Sequence, residues 1–138
     1  MRYLAVSLSL PVLVACSTAP ATHGKSQSQE TATNAPVEFL LASAVTDFHT
    51  HRPPYLARFR DVRIGYLMTS DGTRQYMLCG SFLAESGKLE WTPFVTIKTS
   101  GYEQWLGAQA VSFCERSPSV WGEGDFSPSL QRRIDSLR

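Results

Sequence analysis

The chain has 138 residues, with 13 Lys and Arg against 12 Asp and Glu. Setting aside a 15-residue leader and a polar stretch leaves about 102 residues for folding, which is one domain and too short for a barrel enzyme of about 250 residues. Once Arg2 departs with the leader the charges balance at 12 and 12, so nothing in the charge argues for a nucleic-acid partner.

The first element is an export signal. Arg2 supplies a positive start and Tyr3 to Ala15 is an almost unbroken apolar run of 13 residues, too short to span a bilayer. Leu13, Val14, Ala15 and Cys16 resemble the lipobox of bacterial lipoproteins. That resemblance implies cleavage of residues 1–15 and lipidation of Cys16, palmitate included, with Ser17 after the cysteine looking like an outer-membrane address. Several acyl chains on one residue anchor far better than one.

Residues 16–36 read as the lipidated cysteine and a disordered tether. From Ser17 to Pro36, Ser, Thr, Ala, Pro and Gln make up 15 of 20 residues, and Leu, Ile, Val and aromatics are absent. Such a segment cannot bury enough surface to offset its ordering entropy. As a flexible coil it spans about 25 Å.

Of 15 aromatic residues, 14 fall between Phe39 and Phe126, which places the folded domain at 37–138. The expected fold is α+β: an N-terminal helix, a three-stranded antiparallel sheet, a disulfide-linked helix and a short C-terminal helix. Asn34 and Pro36 mark a helix start, and Leu40, Leu41, Ala44, Val45 and Phe48 recur at helical spacing up to Pro53-Pro54. Strands follow over 59–68, 74–83 and 89–98, separated by turns at Asp71-Gly72 and Ser86-Gly87. Ser100 and Glu103 have capping-box spacing ahead of Tyr102, Trp105, Leu106, Ala110, Phe113 and Cys114, which predicts a helix with one broad apolar face. Ser127 as cap and Pro128 at the first turn open the last helix, striped by Leu130, Ile134 and Leu137.

With Cys16 lipidated, Cys79 and Cys114 remain, and an exported domain joins them, closing a loop of 35 residues. Two-residue turns would then place Val62, Ile64, Tyr66, Met77 and Phe94 on the Cys79 face of the sheet. The opposite face would carry Leu67, Tyr76, Leu78, Phe82, Trp91, Val95 and Ile97, too apolar to stay wet. Either a terminal helix covers it or a partner docks there, with Tyr76, Phe82, Trp91 and Trp105 the candidate contacts. A one-residue slip exchanges the two sets.

Three motifs invite chemical readings. Asp47-Phe48-His49-Thr50-His51 resembles the string that opens the metal site of amidohydrolases, but no third His follows, and residues two apart on a helix do not face one ligand. The bland reading is polar residues closing a helix, where His complements the dipole. Cys79-Gly80-Ser81 differs in order and context from the Cys-Ser-Gly start of papain-like cell-wall peptidases, because both candidate His residues lie upstream. Arg52, Arg58, Arg60, Arg63 and Arg74 could form a basic rim suited to anionic head groups or an acidic partner, although a charge run is more often a solvated face. No catalytic residue, metal site or cofactor is assigned.

Pro54, Ala57, Phe59-Arg60 and Val62, then Cys79-Gly80, resemble small uncharacterised proteobacterial envelope proteins with a Phe-Arg-x-Val strand and a Cys-Gly strand. That resemblance implies fold and compartment, without an activity. The expected function is a non-enzymatic accessory or binding lipoprotein of the outer membrane, its domain facing the periplasm. Its partners would be the membrane, through the anchor, and an envelope protein. The alternative is an inhibitor or sensor acting on a lysozyme-like or protease target. Lysozyme-inhibitor lipoproteins carry Ser-Gly-x-x-Tyr, and here Ser100-Gly101-Tyr102 brings the Tyr two residues early.

Overall fold

The computed structural model describes residues 26–51, 56–84, 90–116 and 119–137. The leader, Cys16, the part of the tether before Ser26, Arg52, the Pro53-Pro54 stop and the Ser86-Gly87 turn lie outside the described residues. Helix α1 (Ser26–His51) leads into β1 (Leu56–Met68), β2 (Arg74–Ala84), β3 (Trp91–Lys98) and β4 (Tyr102–Leu106); α2 (Ala108–Cys114), β5 (Ser119–Trp121) and α3 (Ser127–Asp135) follow. The fold is α+β, as composition and patterning imply. The antiparallel sheet has five strands in the order β4-β3-β2-β1-β5, not the expected three.

Both extra strands have physical causes. A turn closed by the Thr99 N–H on the Gly101 carbonyl (3.0 Å) sends the chain back along β3, so Tyr102 to Leu106 pair with Lys98 to Phe94. The helix expected from 102 therefore begins only at Ala108, after Gly107 at φ 64. Tyr102, Trp105 and Leu106 fit helical spacing, but Tyr102, Gln104 and Leu106 also alternate with Glu103 and Trp105. Strand pairing and β-favouring aromatics decide the matter. Strand β5 is three residues long, below what periodicity can register, and pairs with Gly65 to Leu67 of β1.

Helix α1 begins eight residues before the expected Asn34 start and contains Pro36 in its interior. A proline there costs the bond to the carbonyl of Ala32 and strains that turn, yet does not end the helix. Its apolar stripe is the expected one: Leu40, Leu41, Ala44 and Phe48 are all at most 2% exposed. Helix α3 also falls where its pattern puts it, with Leu130 and Ile134 buried. Its cap differs, since Phe126 is the N-cap residue and Ser127 the first helical one. The Ser127 N–H instead donates to the Asp125 carboxylate at 2.9 Å.

The sheet register overturns the expected faces. Met68 pairs with Arg74 across a five-residue loop, and Leu83 pairs with Trp91, so Cys79 stands opposite Arg63 and Val95. Odd-length connections shift β1 and β3 by one residue relative to a two-residue turn, and a one-residue shift moves every side chain to the other face. The Cys79 face therefore holds Leu67, Met77, Val95 and Ile97, packed with Ala110 of α2. The other face holds Val62, Ile64, Leu78, Phe82 and Phe94, covered by α1 and α3. Met77 is the one companion of Cys79 correctly expected, and Tyr76, Leu78 and Phe82 do lie opposite.

Strand β1 bends at a bulge. Asp61 has φ 55, a left-handed conformation uncommon without glycine, and the β1–β2 register slips between Arg60 and Arg63. The extra residue puts Phe59 on the same face as Val62 and Ile64. Phe48 packs there edge-on against Phe59, Phe82 and Phe94, with ring centroids 5.1 to 5.2 Å apart. Backbone groups the bulge withdraws from the ladder are met by α3 and its lead-in. The Val62 N–H donates to Ser127 Oγ (3.0 Å), the Phe59 N–H to Gln131 Oε1 (3.1 Å), and the Phe126 N–H to the Val62 carbonyl (2.7 Å). A Cβ on Gly80 would stand 2.8 Å from Val62 Cγ2 and 2.9 Å from Phe94 Cε1, so the Cys79-Gly80 dipeptide is required by close packing across the strands.

Candidate functional site

The two sheet faces are covered unequally. An α-helix of seven residues spans about 10 Å, whereas a strand of eleven runs roughly 36 Å, so α2 can shield only part of its face. The disulfide fixes where it sits: Cys79 and Cys114 are joined, with Cα atoms 6.0 Å apart.

Beside this link lies a groove of about 470 Å³. Strand β1 contributes Asp61, Val62 and Arg63; β2 contributes Cys79, Gly80 and Ser81; β3 contributes Pro93. Helix α2 adds Val111, Cys114 and Glu115, and the loop before α3 adds Gly124 and Asp125. The bulge is what brings Asp61 to the groove. The disulfide, Val111 and Pro93 make an apolar floor, ringed by three carboxylates and one guanidinium. Asp125 is held below the usual carboxylate range first by the Ser127 hydroxyl, which donates to Oδ1 at 2.6 Å, and then by the Ser127 N–H. Arg63 lies over the ring of Trp121 at 4.0 Å, which leaves its edge free for a ligand.

This arrangement offers binding chemistry. Both thiols are consumed in the disulfide, so Cys79 is not a nucleophile here. No imidazole lines the groove among the described residues. Asp47, His49 and His51 lie in the last turns of α1, on the other side of the sheet. His49 and His51 are exposed and Phe48 is buried in the core. His51 Nδ1 sits 3.2 Å from Asp47 Oδ1, an interaction local to the helix end. Among the described residues no three His, Cys, Asp or Glu stand where they could hold a metal ion.

The four residues expected on one partner face do not share a surface. Phe82 is 3% exposed and belongs to the phenylalanine core under α1; Tyr76 is half-buried on the same face. Trp91 and Trp105 lie on the other face, both half-buried, with Trp105 stacked on Phe113 at 6.3 Å. The indole N–H of Trp105 is buried and has no acceptor among the described residues. Tyr102 is half-buried in β4, and its hydroxyl donates to Asp47 at 3.4 Å; burial first, then the Asp47 carboxylate, raises its pKa.

Sequence reasoning missed Asp61, Glu115, Asp125 and Trp121 as groove or rim residues. One signal was available: an Asp, a residue that tolerates the left-handed conformation better than most, inside an alternating strand pattern. The chain matches no known protein family, no characterised protein and no solved structure. Among the described residues no helix is long and apolar enough to cross a membrane.

Proposed function

We propose that this protein is a lipid-anchored outer-membrane lipoprotein, acylated on Cys16, whose periplasm-facing domain is a non-enzymatic binding component of an envelope assembly. The observation that carries the reading is the run Leu13-Val14-Ala15-Cys16 at the end of a charged-then-apolar start. The disulfide supports it, because such bonds persist in oxidising compartments outside the cytoplasm. The groove beside the disulfide is the surface we assign to partner binding, in place of the Tyr76 and Phe82 face that α1 and α3 occupy.

Labelled palmitate followed by membrane fractionation tests the anchor: the wild-type chain should carry label and sediment with outer membrane, and Cys16→Ser should do neither. Label on the Cys16→Ser chain, or none on the wild type, defeats the anchor. A photo-crosslinker placed at Ser81 tests the binding role. A discrete adduct at Ser81, absent when the probe sits at exposed Thr46 of α1, supports it. The inhibitor alternative has less support, since Tyr102 of the Ser100-Gly101-Tyr102 string is engaged with Asp47. A lysozyme inhibition assay at micromolar protein decides it.

A further inference from the structure

The strongest unassigned feature is the free edge of β4. This strand pairs with β3 on one side, and among the described residues the sheet ends there. The Gly107 N–H donates to the Pro93 carbonyl (2.8 Å) and the Thr99 N–H to the Gly101 carbonyl (3.0 Å). Bonded and unbonded pairs alternate along an antiparallel ladder, so the bonded residues of β4 are Glu103, opposite Ile97, and Trp105, opposite Val95. The N–H and C=O groups of Tyr102, Gln104 and Leu106 therefore point out of the sheet.

Among the described residues nothing covers that row. Ala110 of α2 packs inboard with Val95 and Ile97, and Phe48 of α1 packs inboard on Phe82 and Phe94. The opposite edge is guarded: β5 is three residues long, and beyond it Ser127 and Gln131 accept the Val62 and Phe59 N–H groups of β1. Sheet edges are commonly blunted by Lys, Pro or a bulge, and β4 carries none of these.

The row matches a second copy of itself. Outward groups at Tyr102, Gln104 and Leu106 are symmetric about the middle residue, so antiparallel pairing across a two-fold axis sets Gln104 opposite Gln104 of the second copy, and Tyr102 opposite Leu106. All three positions become bonded pairs, and no outward group of β4 is left over. Leu106, 45% exposed, gains the half-buried Tyr102 of the second copy as its neighbour. Glu103 falls opposite Trp105, and the two exposed Glu103 side chains meet only on a diagonal.

We propose that β4 joins two copies of this chain edge to edge, continuing one antiparallel sheet through both. Such pairing needs neither the lipid anchor nor the groove.

Amide hydrogen exchange on the full wild-type chain in mild detergent, from micromolar to millimolar concentration, tests it alongside sedimentation. The amides of Tyr102, Gln104 and Leu106 should be protected in the dimer and lose protection as it dissociates, while those of Glu103 and Trp105 stay protected throughout. Leu106→Pro removes an outward N–H and no bond within the sheet, and should weaken the dimer about tenfold because two hydrogen bonds across the axis are lost. Gln104→Cys reads the register: its two Cα atoms would stand about 5.5 Å apart, within disulfide reach, and oxidation should give a covalent dimer. Glu103→Cys, on a diagonal of about 7 to 8 Å, should give little. Near-ultraviolet circular dichroism confirms that the variants stay folded. Fast exchange of the three amides at the highest concentration, or slow exchange in a chain that sediments as a monomer, overturns the proposal. Equal crosslinking of the two cysteine variants overturns it as well, and so does protection that arises only when a foreign protein is captured.

Discussion

The two faces of the sheet solve the same problem differently. Under α1 and α3 the sheet is closed by packing: Phe48, Phe59, Phe82 and Phe94 interlock, and Leu40, Leu78 and Leu130 are fully buried around them. Under α2 a seven-residue helix is pinned by one covalent bond, and the surface beyond it stays open as a groove. Where helices are long enough to cover a strand, dispersion and apolar burial suffice. Where the helix is short, a cross-link supplies the missing constraint and leaves surface available for binding.

The sharpest way to break that contrast is to attack the packed face. Phe48→Ala removes the ring that touches three others, and should cost about 3 to 5 kcal/mol in chemical denaturation. The linked face should be next: replacing Cys79 and Cys114 together with Ala should cost roughly 3 to 4 kcal/mol for a 35-residue loop, with no further loss when reductant is added. A double variant as stable as the wild type would mean that α2 is held by packing after all, and the contrast would dissolve.

A smaller effect probes the joint between the faces. Ser127→Ala leaves the buried Val62 N–H without its acceptor and should cost about 1 to 3 kcal/mol, with protection of that amide lost in hydrogen exchange. The smallest effect is on acid stability. Asp71 is lowered from 3.8 to about 2, first by the Thr69 hydroxyl and then by the Thr73 N–H and hydroxyl. A carboxylate with a depressed folded pKa stabilises above its unfolded value, and that contribution fades as pH falls towards the folded one. Thus Asp71→Asn should lower the unfolding midpoint slightly at neutral pH and flatten its fall between about pH 4 and about pH 2, so that the two chains converge in acid. An equal slope in the variant would show that the hairpin tip does not report on folding.

Much of the architecture is legible in the chain because it depends on local pattern. The α1 stripe, three strands near their observed limits, the Asp71-Gly72 turn, α3 and the Cys79–Cys114 pair all follow from periodicity, turn residues and cysteine count. The errors have one origin. Periodicity says which residues alternate but not which partner they face, so β4 passes for helix and the connection lengths that set register stay hidden.

The groove was therefore illegible even though its residues were in view. Asp61, Ser81, Glu115 and Asp125 come from four separate segments and meet only through a bulge, a register and a covalent bond. The sequence alone determined fold class, the two-cysteine link, the stripes of α1 and α3 and the expectation of an exported, anchored chain, because each is written in local pattern or, for the link, in the cysteine count. Tertiary structure alone decided which face is sealed and which carries the groove. Strand pairing is a long-range choice, and a shift of one residue exchanges the inside of a sheet for its outside.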